Sequence, residues 1–138
     1  MCGYKEHIKN FTREHVMHII AYTSDYQITD GDTNTVLSDI AEKSRINNKR
    51  LGVTGALYLH RQTFLQVIEG TQDALEVLMA KLQADVRHKN IVRIIDEKIY
   101  NRSAGSWSLN SFSLSDGEYI DIKELTKAGV LKLYQNDV

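Results

Sequence analysis

Ser44 to Gly70 reads SRINNKRLGVTGALYLHRQTFLQVIEG. Within it, Gly52–Leu59 (GVTGALYL) and Thr63–Glu69 (TFLQVIE) are short apolar runs separated by His60, Arg61 and Gln62, which predicts two strands joined as a hairpin. Alternation in the second strand puts Phe64, Gln66 and Ile68 on one face. Upstream, Val36, Leu37, Ile40 and Ala41 recur at helical spacing, Ser44 continues that face, and a helix is predicted from Asn34 to Asn48. The Asn47–Asn48 pair has the chemistry of a C-cap and turn. Further back, Val16–Thr23 (VMHIIAYT) predicts a buried strand, with His18, Ile20 and Tyr22 on one face and Ile19, Ala21 and Thr23 on the other. Ser24–Thr33 between them is rich in Asp, Thr and Gly, which is loop chemistry.

Downstream, Gly70 breaks the strand pattern and Thr71 is placed to cap a helix, with Asp73 in its first turn. Leu75, Leu78, Met79, Leu82 and Val86 form its apolar stripe. Two further strands are predicted, at Asn90–Ile95 and Ser106–Leu114, then a helical tail over Glu118–Tyr134 carrying Ile122, Leu125, Leu131 and Leu133. The order predicts an α+β, ferredoxin-like βαββαββ sheet with two helices on one face, plus a C-terminal helical segment. Right-handed crossovers put both helices on the same side, leaving a groove floored by the sheet. The reading divides the chain into an N-terminal extension (1–16), a sheet domain (17–115) and a tail (116–138). The fold itself hosts many functions, so function rests on particular residues.

The totals narrow the classes. The chain has 138 residues, 42% hydrophobic and 25% charged, enough for one domain with a core. Lys and Arg number 17 against 18 Asp and Glu, so no long-range field of either sign favours nucleic acid or a polybasic membrane contact. Cys2 is the single cysteine, which excludes an internal disulfide and a paired-cysteine zinc site, and suits a cytoplasmic compartment. His7, His15, His18 and His60 lack zinc-ligand spacing, so no metal is expected. Residues 1–14 do not form a secretory signal, and no run is long and apolar enough to span a bilayer.

Several residues stand out against this background. Gln66 is a primary amide among apolar strand neighbours, costly if buried without partners and ordinary if its face is solvated. Tyr22 sits at a strand end, where a tyrosine is commonly core with its hydroxyl at the rim. Arg87 and His88 follow a helix, where cations suit the macrodipole. Trp107, the sole tryptophan, reads by default as core.

Taken together, the Asn47–Asn48 pair, Gly52-Val-Thr-Gly55 and Phe64-Leu-Gln-Val-Ile-Glu-Gly70 closely resemble the signature of BLUF domains, blue-light sensors that use flavin. Tyr22-Thr23-Ser24, Asp85-x-Arg87-His88 and Trp107-Ser108-Leu109 extend the resemblance in the right order, over about Met17 to Leu114. The resemblance implies a photoreceptor rather than an enzyme. It implies Tyr22 as donor of an electron and a proton, and Gln66 as the amide between Tyr22 and the flavin. Asn47 and Asn48 would bind the ring's polar edge, Arg87 and His88 the ribityl or phosphate portion, and Asp85 would organise their loop. Trp107 matches the position that moves, or stays near the flavin, in signalling. FAD is the cofactor the family implies first, with FMN as the other choice. Output is expected to pass to a separate protein partner, to a homo-oligomer, or to an effector domain outside this chain.

Three departures stand out, one of them the roughly sixteen residues that precede the first strand. Leu109 occupies a position where the family usually has Met, and it cannot accept even a weak hydrogen bond from Gln66. Ala104 replaces a frequent aromatic residue. Two other readings compete: a small ferredoxin-like hydrolase of the acylphosphatase type, and a flavin-free interaction module. The first would need a Gly-rich phosphate loop where SDYQITDGDT stands.

Overall fold

The computed structural model describes residues 16–26, 33–60, 62–86, 88–102, 110–113, 122 and 125–137. Among these, β1 (Met17–Tyr26), α1 (Thr33–Leu51), β2 (Thr54–His60), β3 (Thr63–Gly70), α2 (Gln72–Ala84), β4 (His88–Ile99), β5 (Asn110–Ser113) and α3 (Lys127–Asp137) follow in that order. One sheet runs β4-β1-β3-β2-β5. β1 pairs antiparallel with β3 and β4, β3 pairs antiparallel with β2, and β5 joins β2 in parallel. This is the expected ferredoxin-like α+β arrangement with its extra strand at the β2 edge.

Both faces of the sheet are covered. On one, Ile20, Tyr22, Val53 and Ile68 pack with Ala74, Leu75 and Met79 of α2, while Leu57, Leu59, Phe64 and Tyr26 pack with Ala41 and Ile40 of α1. On the other, Ile19, Ala21, Ala56, Tyr58, Leu65, Val67 and Ile95 pack with Ile122, Val130 and Tyr134. Two-sided burial explains why β1 reads as a nearly continuous apolar run. Gln66 is half-buried on the face whose neighbours in alternation, Phe64 and Ile68, pack against α1 and α2, not on an open solvent face of the sheet.

Element ends differ from expectation in instructive ways. β1 continues through Ser24, Asp25 and Tyr26, which looked like loop. Asp25 survives in a strand because its carboxylate accepts hydrogen bonds from Thr63 Oγ1 (3.3 Å) and Asn90 Nδ2 (2.9 Å). β4 is longer than predicted at both ends, and the described part of β5 is shorter. Val86 lies beyond α2 and is exposed, because the helix stops at Ala84 with Asp85 as its C-cap. The Thr71 cap is as predicted, its hydroxyl accepting from Ala74 N at 3.2 Å. In the tail, Ile122 is fully buried as expected, together with Val130 and Tyr134, while Leu125, Leu131 and Leu133 are only partly covered.

α1 does not stop at Asn47–Asn48 but runs one turn further to Leu51. Gly52 ends it, with φ +69°. Its N–H donates to Lys49 O (3.3 Å) and the Val53 N–H to Asn48 O (2.8 Å), a Schellman pair that satisfies the orphan carbonyls. Val53 behind it is buried. Gly52→Ala is expected to destabilise the protein by about 1–2 kcal/mol, since an L side chain in the left-handed region carries that strain. Urea melts of parent and variant check this, and equal midpoints would contradict it. Gly55 has a different reason: a Cβ there would run into the Val67 carbonyl of the neighbouring strand.

Polar ties fix the register around α2. Arg93 of β4 forks to Glu76 of α2 (3.1 and 3.2 Å) and to Asp96 (2.8 Å), and His18 bonds Asp96. The His18 contact, then Arg93, holds the Asp96 carboxyl below the usual carboxylate range. Pairs this exposed contribute little stability and serve mainly to align the helix on the sheet.

Candidate functional site

The groove between α1 and α2 holds a cavity of about 380 Å³. That volume lies in the range of sites for small organic ligands. Its floor is the sheet, through Tyr22, Leu57, Phe64, Gln66 and Ile68, and its walls come from one face of each helix. On α1 the wall residues Asp39, Ile40, Lys43, Ser44, Asn47 and Asn48 fall at three- and four-residue spacing. α2 adds Leu78, Met79, Lys81 and Leu82, with Asp85 just past its end.

Tyr22 and Gln66 are Cα partners in the β1–β3 register, so their side chains rise side by side from the cavity floor. The Tyr22 hydroxyl donates a hydrogen bond to Gln66 Oε1. Tyr22 is buried, and burial pushes its phenol pKa well above the ordinary tyrosine value. The neutral phenol is therefore the form present at neutral pH. The β1–β4 register shifts between Ala21 and Tyr22 and again between Thr23 and Asp25. Such irregularities re-aim side chains beside functional sites, and here they bracket Tyr22. Gln66 makes no other side-chain hydrogen bond to a described residue. Its NH₂ group is thus a donor left over at the cavity floor.

Asn48 is buried and Asn47 is half-buried, and both line the cavity. Asn47 Oδ1 accepts from Arg50 Nη2 at 3.0 Å, which leaves its Nδ2 as the donor it can offer. The extra turn of α1 beyond the pair is what carries both amides along the wall. Asp85 caps α2 through its own N–H to Leu82 O (3.1 Å), and its carbonyl accepts from His88 N at 3.1 Å. His88 lines the cavity and packs edgewise on Tyr26 at 5.1 Å between ring centres. Six predicted site residues, Tyr22, Asn47, Asn48, Gln66, Asp85 and His88, thus meet around one cavity. Arg87, Trp107 and Leu109 lie outside the described residues.

Sequence reasoning missed Asp39, Lys43, Lys81 and Tyr26 as wall residues. Asp39, Lys43 and Asn47 are spaced by four, so the helical period from Asn47 was the available signal. The residues fit a flat heteroaromatic ligand with alternating donors and acceptors. Three amides, from Asn47, Asn48 and Gln66, supply both polarities, and Leu57, Phe64, Ile68, Leu78 and Met79 supply apolar surface. A flavin ring has that combination of a polar edge and an apolar body.

Residues 17–110 match the family model described as BLUF, sensors of blue-light using FAD. A photoactivated adenylate cyclase alpha subunit of Euglena gracilis is 37% identical over 73 residues, which is 53% of this chain and 7% of that protein. The beta subunit from the same organism is 36% identical over 73 residues, again 53% of this chain and 8% of that protein. The chain therefore spans only a small part of the curated relatives it matches. Among solved structures, BlrB, a BLUF protein in its dark state, superposes with a TM-score of 0.76 at 25% identity, covering 91% of this chain and 99% of that one. BlsA in its photo-activated state gives a TM-score of 0.76 at 26% identity, covering 88% and 93%.

Proposed function

Because the chain belongs to the BLUF family of blue-light sensors, we propose that its cavity holds a flavin, FAD as the first choice, and that Tyr22 and Gln66 form the light-responsive pair. The observation that carries this reading is the Tyr22 hydroxyl bonded to Gln66 at the cavity floor, with the amide NH₂ left over beside it. Bound flavin supplies blue-light absorption and an excited state that accepts an electron. The rest is the work of this chain. The Tyr22 phenol is the donor, and its proton already lies on the hydrogen bond to Gln66 Oε1. Burial disfavours a free phenolate, so the proton moves together with the electron rather than ahead of it. Return of both restores the phenol and leaves the Gln66 amide rearranged, by rotation or by tautomerisation. A relaxation in the dark resets it.

Asn47 and Asn48 hold the ring's polar edge in this proposal, and His88 with Arg87 meets the ribityl or phosphate portion. Asp85 holds their loop through its contact with the end of α2. Trp107 and Leu109 complete the photoactive set in this proposal. Residues 17–115 form the sensing unit, with 1–16 as an extension and 116–138 as a tail. This chain senses and does not catalyse; its output passes to a separate partner, to a homo-oligomer or to a linked effector domain. No helix among the described residues is long and apolar enough to cross a membrane.

Asn48→Ala tests the binding half of the proposal. The side chain is buried on the cavity wall, and losing one amide contact to a ligand is worth about 1–2 kcal/mol, roughly a 5- to 30-fold weaker Kd. Fluorescence titration with FAD measures it. Unchanged affinity removes Asn48 from the binding set.

A further inference from the structure

Arg50 stands in the last turn of α1, on the helix whose face lines the cavity. Its side chain is exposed, and a cation at that place is favoured simply by the negative end of the helix dipole. The guanidinium also reaches back one turn, where Arg50 Nη2 donates to Asn47 Oδ1 at 3.0 Å. Asn47 is half-buried on the cavity wall, and among the described residues no other side-chain hydrogen bond holds it. An asparagine amide can present its ends in either sense, because a turn about χ2 exchanges Oδ1 with Nδ2 at nearly constant shape. A guanidinium carries donors only, so it accepts one sense and opposes the other, in which NH₂ would face N–H.

With Oδ1 drawn to Arg50, the NH₂ group is the end left for the cavity. The polar edge of a flavin ring carries carbonyl oxygens and one ring N–H, so the sense of the amide decides which of them Asn47 can meet. We infer that Arg50 is a positioning residue for the flavin site: by holding Asn47 Oδ1 it commits the Asn47 amide to donate, toward a ring carbonyl rather than the ring N–H. Arg50 acts through Asn47 and not by touching the ligand. The bond also polarises the amide. Linked hydrogen bonds strengthen one another, and a charged donor at Oδ1 makes the Nδ2 hydrogens better donors. This rests on the proposal that the cavity holds flavin and that Asn47 meets its ring edge.

The test is an FAD titration of the full chain as parent, Arg50→Met, Arg50→Lys, Asn47→Ala and the Asn47→Ala, Arg50→Met double variant. Infrared spectra of the FAD-loaded parent, Arg50→Met and Arg50→Lys follow the ring-carbonyl stretches. Arg50→Met keeps an apolar stem and removes the donors. It is expected to weaken FAD by roughly 2- to 10-fold, the range of one hydrogen bond. It should also move a ring-carbonyl stretch to higher frequency, as that carbonyl's hydrogen bond weakens. Arg50→Lys again offers donors only and should restore most of both. In the Asn47→Ala background, Arg50→Met is expected to add nothing. A helix-end charge acting on stability alone would leave the carbonyl band where it is. An unmoved band in Arg50→Met overturns the inference, as does equal weakening with and without Asn47. A parent that takes up no FAD fails the flavin proposal first and takes the inference with it, whereas a parent that loads normally beside an Arg50→Met protein identical to it fails the inference alone.

Discussion

Gln66→Leu is expected to fold, to load with flavin and to show no red shift under blue light. Leucine suits the site sterically and by polarity: Phe64 and Ile68 flank the position in alternation, and the floor is otherwise apolar. The substitution removes the Tyr22 bond and the NH₂ donor together. An unpartnered phenol at the cavity floor costs about 1–3 kcal/mol, which loss of the half-buried polar amide partly offsets. The net effect on folding is therefore small beside the effect on photochemistry, which is complete. An amide can exchange its donor and acceptor ends by rotating or tautomerising; a hydrocarbon has neither end to exchange. The dark spectrum should also alter, because a hydrogen bond to the ring edge is gone. Spectra of the flavin-loaded variant before and after blue light measure both effects, with occupancy checked first. A normal, reversible shift would reduce Gln66 to a structural residue.

Tyr22→Phe should keep its flavin and lose the normal red-shifted product. The ring still fills its place beside Ile20 and Ile68, so packing changes little. What disappears is the hydroxyl that donates to Gln66 and, with it, the proton that accompanies the electron. Burial raises the Tyr22 pKa, so in the parent the phenol stays protonated as pH rises through the ordinary tyrosine range. The parent's dark spectrum should accordingly stay constant over that rise. A Tyr22→Phe protein that shifts and recovers like the parent would displace Tyr22 from its role.

The alternation in FLQVIE was enough to place Gln66 with Phe64 and Ile68, and that in HIIAY to place Tyr22 with Ile20. Which face held the cavity followed from two crossover helices lying on one side of the sheet. That both faces were covered did not follow, because burial by the tail depends on Val130 and Tyr134 beside the expected Ile122, while the leucines its composition drew attention to are only partly covered. The end of α1 was misplaced for a chemical reason. Asn47 and Asn48 carry cap-like side chains, yet here they point an amide pair along a cavity, and Gly52 does the capping. Ser24 and Asp25 looked like loop because both residue types favour turns. Their partners, His88, Thr63 and Asn90, come from strands distant in sequence, so only the folded register explains them in a strand.

One absorption measurement bears most directly on the central claim. The purified chain, loaded with FAD, is scanned in the dark, under blue light and again after a return to darkness. The Tyr22–Gln66 account predicts a flavin spectrum that moves to longer wavelength under light and returns in the dark. A chain that takes up no flavin, or a loaded chain whose spectrum stays fixed under blue light, would contradict it.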